Sequence, residues 1–167
     1  RLALDEADDA QRQRLLTIVL RSAENLLGLL NDILDLSRIE AGRMRLDSAP
    51  FAPRALVDEV VATLGEPAAA KGLVLTATVA PALPAWLFGD GLRLRQILLN
   101  LTGNAVQFTA VRSVRIRLEP RDKDGRPQLH CTVADTGVGL SAEQLARVFG
   151  RFEQADNSLA RTHGGSG

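Results

Sequence analysis

From Asp8 to Glu40 the chain has no proline and repeats an apolar residue every three or four positions: Leu16, Val19, Ala23, Leu26, Leu30 and Ile33, with Leu20, Leu27 and Leu34 beside them. This is the period of an α-helix with one apolar face. The stripe is broader than a two-stranded seam requires, so it predicts neighbours on two sides, as in a four-helix bundle. Only one such helix is complete here. Arg1–Leu4 reads as the tail of a preceding helix, and Asp5–Asp9 as an acidic turn placed where negative charge favours the next helix N-terminus. One copy of this sequence cannot close a bundle, so the missing helices must come from upstream sequence, a second copy or both, and a homodimer through the N-terminal helix is expected. The competing reading is a long helix packed on its own globular domain.

Twenty Lys and Arg balance twenty Asp and Glu, so no net field draws the chain to nucleic acid. Its single cysteine, Cys131, excludes an internal disulfide and a cysteine-rich zinc site, and lies in an apolar stretch that suits a reducing compartment. No segment approaches the roughly 18 unbroken apolar residues of a membrane span. Nor does the N-terminus have a signal-peptide pattern. These features predict a cytoplasmic piece without membrane contact of its own, in a parent that can still be membrane-anchored.

Gly42 stops the helix and sets an expected boundary between residues 1–43 and 44–167. Met44–Pro53 reads as a short strand and turn, Arg54–Lys71 as a helix stopped by Gly72, and Leu73–Val79 as a strand. After the Pro81–Pro84 link, Asp90 is a candidate cap for a helix from Gly91 to Phe108. Val114–Leu118 and Leu129–Ala134 read as strands joined by a charged turn, Arg121–Arg126. Ser141–Phe149 reads as a short helix opened by a Ser141/Gln144 capping box. Strands and helices do not alternate regularly, which favours an α+β sandwich, a mixed sheet with helices on one face.

Two motifs carry chemistry. On the helix from Gly91, the residues Gln96, Asn100, Asn104 and Gln107 follow at steps of four, four and three, so their amides form one row. Leu94, Ile97, Leu98, Leu101, Ala105 and Phe108 are expected on the core side. An amide oxygen is a hard ligand for magnesium that adds no charge beside a polyphosphate, and Asn100 and Asn104 suit that role. A solvated polar face would look similar, but asparagine is a poor interior helix former, which weighs against it.

The second motif is Asp135-Thr-Gly137-Val-Gly139-Leu140, a carboxylate at a strand's end followed by glycines. Gly137 and Gly139 allow positive backbone angles and let a flat base approach, and Asp135 could accept a hydrogen bond from an adenine amino group. Alone it could be an ordinary turn. Its occurrence with the amide row favours a nucleotide site. Phe149 and Phe152 could be core packing, and Gly164, Gly165 and Gly167 could open a phosphate cradle or belong to a flexible tail.

With these residues in view, nearly the whole chain resembles the core of bacterial sensor histidine kinases of the two-component or hybrid type, within the GHKL ATPase superfamily. Leu30–Gly42 is similar to the end of the second helix of the dimerisation and histidine-phosphotransfer domain. Leu92–Thr109 resembles the N box, Asp135–Leu140 the first glycine box, Phe149–Asp156 the F box, and Gly164–Gly167 the start of the second glycine box. The resemblance implies ATP and Mg2+ as ligands. Asn100 and Asn104 would contact metal and phosphates, and Asp135 the adenine amine. Gly137 and Gly139 would form the base-side turn, with Gln107, Phe152, Gly164, Gly165 and Gly167 completing the nucleotide site and 157–163 forming a lid.

The family's activity is transfer of the ATP γ-phosphate to a histidine and on to an aspartate of a response-regulator receiver domain. The resemblance puts that histidine upstream of Arg1, so this chain alone is not expected to phosphorylate itself. Residues 44–167 would then be an ATP-binding domain stopping within the second glycine box. Gln107 departs from the family's usual lysine, and a lost hydrogen bond to a charged group costs about 1.5–3 kcal/mol. The alternative is therefore a degenerate dimerisation scaffold or response-regulator phosphatase. A DNA-clamp ATPase of the same superfamily is disfavoured by the bundle helix and the neutral charge.

Overall fold

The computed structural model describes residues 2–147, and the chain divides into two compact units, one through Leu46 and one from Asp47 on. In the first unit, α1 runs unbroken from Leu2 to Glu40. The separate helix tail and acidic turn expected over residues 1–9 are not observed among the described residues. Leu, Ala, Asp and Glu fill this stretch without a glycine or proline, and acidic groups are favourable near a helix N-terminus, so nothing interrupts the helix. It closes at Gly42 (φ +62°) with Gly42 N–H donating to the Ile39 carbonyl at 3.0 Å and Arg43 N–H to that of Arg38 at 2.9 Å. That pair of bonds is a Schellman motif, and its left-handed residue calls for glycine. Along α1, Leu16, Val19, Leu26, Leu30 and Ile33 are all exposed.

The second unit begins with β1 (Ala49–Phe51), and α2 (Pro53–Ala70) follows with a proline at its first position, where the missing N–H costs nothing. Then come β2 (Val74–Val79), β3 (Leu87–Gly89), α3 (Gly91–Phe108), β4 (Ser113–Lys123), β5 (Arg126–Asp135) and α4 (Ala142–Arg147). The larger sheet has the order β2-β4-β5, with β2 parallel to β4 and β4 antiparallel to β5. A smaller antiparallel ribbon pairs β1 with β3. The short strand β3 was not anticipated.

The β4–β5 hairpin is longer than its sequence suggested. Only Asp124 (φ 56°) and Gly125 (φ 73°) turn, which is the backbone of a type I′ connection, so pairing continues out to Lys123 and Arg126. The charged run Arg121–Arg126, expected to be a loop, is mostly exposed strand. The Asp-Gly pair was the available signal for this.

Alternation along β4 buries Val114, Ile116 and Leu118 and leaves Arg115 and Arg117 exposed, so one face of the sheet takes the helices. Against it pack Leu56, Val57 and Val60 of α2 and Leu98 of α3, joined by Leu75, Val79, Leu129, Cys131 and Val133 from the strands. A second cluster holds Ala68, Leu73, Ala105, Val106 and Val114. Layering of a mixed sheet under helices on one face is the α+β sandwich expected.

α3 is rotated relative to the expected core face. Leu98 and Ala105 are buried, but Ile97, Leu101 and Phe108 are 55%, 48% and 44% exposed, and Thr102 and Val106 take the inner positions. The apolar residues spread over about half of this helix's circumference at 100° per residue, so periodicity alone could not say which arc met the sheet.

Candidate nucleotide site

α3 starts where the sequence predicted. Asp90 Oδ1 accepts the Arg93 N–H at 2.9 Å as an N-cap, and its Oδ2 accepts the Asp47 N–H at 3.1 Å, which fastens the segment before β1 to the helix start. The Arg93 and Asp47 N–H groups favour the ionised form and hold the Asp90 carboxyl below its ordinary range. Gly91 follows because a Cβ there would come within 2.9 Å of the Phe51 Cβ.

The amide row is present and lies on solvent. Asn100 and Asn104 are exposed, and Asn104 Nδ2 donates to Asn100 Oδ1 at 3.1 Å. One turn earlier, Gln96 Oε1 accepts from Arg93 at 2.8 Å. The row is roughly opposite Leu98, Thr102 and Ala105 at 100° per residue. Gln107 is half-buried in the last turn. Its backbone carbonyl, like that of Val106, accepts from Lys71 Nζ, at 2.7 and 3.0 Å respectively. Lys71, just past the end of α2, therefore puts a cation on the negative end of the α3 dipole. Sequence reading missed it, since only the fold brings the two helix ends together.

The tip of β5 meets the same end of α3. Asp135 Oδ1 accepts the Gly137 N–H at 2.8 Å, closing a turn over Thr136 and leaving Oδ2 outside that bond. Gly137 is seated so tightly that a Cβ would lie 2.8 Å from the Phe108 carbonyl oxygen and 2.9 Å from Asp135 Oδ1. Gly139 has φ +68° and open space around it. Asn104 and Asn100 are about 6 and 12 Å along the helix from Phe108, at 1.5 Å per residue. The Asp135–Gly137 turn thus adjoins the C-terminal end of α3, the helix that carries Asn100, Asn104 and Gln107.

Beyond the tip, Ser141 and Gln144 form the expected capping box: Gln144 N–H donates to Ser141 Oγ at 3.1 Å and Ser141 N–H to Gln144 Oε1 at 2.8 Å. Phe149, Phe152, residues 157–163, and Gly164, Gly165 and Gly167 lie outside the described residues. Among the described residues no group of three or more His, Cys, Asp and Glu could hold a metal ion, and no helix is long and apolar enough to cross a membrane. A concavity of about 400 Å3 lined by Arg121, Lys123, Asp124 and His130 opens at the hairpin, away from Asp135 along β5. His130 there faces Glu119 at 3.3 Å, and Glu119 pairs with Arg117 at 2.8 Å. Burial raises the pKa of the Cys131 thiol, in keeping with a packing role.

Comparison with known proteins bears on the family and the fold. Residues 89–167 match the family of histidine kinase-, DNA gyrase B-, and HSP90-like ATPases. The signal transduction histidine-protein kinase BarA of Escherichia coli (strain K12) is 43% identical over 163 residues, 97% of this chain and 18% of that protein. The sensor histidine kinase GacS of Pseudomonas protegens is 46% identical over 149 residues, 88% of this chain and 16% of that protein. The chain therefore spans less than a fifth of either relative's length. Among solved structures, full-length ShkA in complex with AMPPNP is similar with a TM-score of 0.71 at 36% identity, over 84% of this chain and 29% of that one. Residues 89–167 thus carry an ATPase domain of the histidine kinase-, DNA gyrase B-, and HSP90-like type, and over nearly its whole length the chain is similar to sensor histidine kinases.

Proposed function

We propose that the chain is the dimerisation helix and ATP-binding core of an ATP-dependent protein-histidine kinase in a two-component pathway. In this reading residues 1–43 contribute to a dimeric four-helix bundle and residues 44–167 bind Mg-ATP. The parent transfers the γ-phosphoryl group to a histidine outside this chain, breaking the bond to the β–γ bridging oxygen and releasing ADP. The group then passes to an aspartate of a response-regulator receiver domain.

The observation that carries the proposal is the seat of Gly137 against the Phe108 carbonyl, which joins the acidic turn to the helix bearing both asparagines. With Oδ1 occupied by the Gly137 N–H, Asp135 keeps Oδ2 for an adenine amino group, where a guanine oxygen would be repelled. Gly137 and Gly139 present no side chain to the base. Asn104 Oδ1 and the remaining lone pair of Asn100 Oδ1 suit a divalent ion that is otherwise ligated by phosphate and water. Bound magnesium would offset the charge that develops on the phosphate oxygens. Gln107 lies beside them, and Phe152, Gly164, Gly165 and Gly167 complete the enclosure in this reading. The ATP analogue in the ShkA complex, with nitrogen in place of the β–γ bridging oxygen, supports a nucleotide ligand.

Two measurements on the full-length protein test this. Incubation with γ-labelled ATP is expected to give an acid-labile phosphohistidine, and its absence counts against kinase activity. Calorimetry with a non-hydrolysable analogue is expected to give magnesium-dependent binding that Asp135→Ala removes. Binding that survives this substitution refutes the assigned role of Asp135. The second reading, a scaffold or phosphatase that no longer uses ATP, is favoured by Gln107 and would require no binding by the unmodified protein.

A further inference from the structure

Thr136, between Asp135 and Gly137, lies in both the turn of the glycine motif and the loop that follows α3. Its Oγ1 is 2.8 Å from the Val111 carbonyl oxygen, to which it donates, and 3.3 Å from the Ser113 N–H, from which it accepts. The Ser113 carbonyl oxygen, at 3.4 Å, is a longer alternative for the one hydroxyl proton. One side chain thus bridges the residues on either side of Arg112. Arg112 is a non-glycine residue at φ 81°, a left-handed backbone that L-residues with a long side chain rarely adopt. Such strain persists only where surrounding bonds over-determine it. The Val74 N–H also donates to the Arg112 carbonyl at 2.9 Å.

These bonds tie the glycine turn to the loop after α3. Phe108 ends α3 and its carbonyl oxygen lies close against Gly137; Val111 to Ser113 continue the same loop and hold Thr136; Thr136 is the central residue of the turn closed by Asp135 Oδ1 and the Gly137 N–H. Val111, Ser113 and Thr136 therefore anchor the turn that Asp135 Oδ1 closes. We propose that Thr136 is a positioning residue for purine selection: its hydroxyl fixes the Asp135 carboxylate in the orientation that accepts an adenine amino group. This rests on the nucleotide-site reading above and deepens it.

The test uses the full-length protein, with Mg-AMPPNP and Mg-GMPPNP affinities measured by calorimetry and Tm by scanning calorimetry for the unmodified protein, Thr136→Val and Thr136→Ser. Valine keeps the shape and removes the hydroxyl; serine restores it. Thr136→Val is expected to weaken AMPPNP binding about tenfold, the equivalent of one hydrogen bond, while GMPPNP binding changes by less than about twofold. Thr136→Ser is expected to restore the preference to within about twofold. Equal loss for both nucleotides, an unchanged preference in Thr136→Val, or failure of serine to restore it overturns the proposal. Tm separates these from unfolding, since a purely structural role would lower Tm and both affinities together. If the unmodified protein binds neither nucleotide, the nucleotide-site reading fails first and the selection role fails with it.

Discussion

Two glycines of one motif are held by different forces, and substitution should distinguish them. At Gly137 the obstacle is space: a methyl group would press on the Phe108 carbonyl oxygen and on Asp135 Oδ1. Gly137→Ala is expected to cost about 1–3 kcal/mol by overpacking and to weaken nucleotide binding, because the turn must move away from α3. At Gly139 only the backbone angle is constrained, so Gly139→Ala should cost about 1–2 kcal/mol without displacing a neighbour. Urea unfolding and AMPPNP titration of both variants would check this. Asp90 gives a pH-dependent counterpart. Its folded pKa lies below the ordinary 3.8, so its stabilisation is complete above that value and is lost as pH falls through the lowered one. Asp90→Asn keeps a good cap but does not titrate, so Tm curves of the two proteins from about pH 5 to pH 2 should converge at the acid end.

The helices and strands differ in how far their sequence determined them. α3 could be bounded from sequence because its start is marked locally, by an Asp90 cap bonded three residues on, and the helix gives way to a β conformation at Thr109. Its rotation could not, because Leu94, Ile97, Leu98, Leu101, Val106 and Phe108 spread over about half the circumference at 100° per residue, and contact with the sheet decides among them. The amide row was legible for the converse reason, since a polar arc on an apolar helix must face away from the sheet. Lys71 and Thr136 were not legible, because each acts on residues far away in sequence. Replacing Lys71 with methionine removes a cation from the α3 C-terminus and should cost about 1 kcal/mol, a modest figure because the ammonium is exposed. By contrast, Leu98→Ala empties a fully buried position between α2 and the sheet and should cost about 2–5 kcal/mol. Chemical denaturation of the two variants ranks these contributions.

At the scale of the whole molecule, the two units satisfy their apolar surfaces differently. The unit from Asp47 on closes its own core, with Val60, Leu98, Val114 and Leu118 wholly buried. α1 leaves Leu16, Val19, Leu26, Leu30 and Ile33 each about half exposed or more along one stripe. A continuous face of this kind is beyond the scattered exposure usual for monomers. Burying each leucine would be worth about 1.5–3 kcal/mol, which is why the proposed dimer through this helix is favoured over a solvated rod. Aspartate at two stripe positions, Leu26→Asp with Leu30→Asp, would place charges in any apolar seam while α1 itself could still form, since only two of its many residues change. Sedimentation velocity is expected to find dimers of the unmodified protein that dissociate on dilution, and monomers of the double variant at the same concentration. Nucleotide binding to the second unit should be unchanged, because the proposed site lies on α3 and the tip of β5. If the double variant stays dimeric, the stripe is not the seam, and if the unmodified protein is monomeric at all concentrations, the bundle reading of residues 1–43 falls.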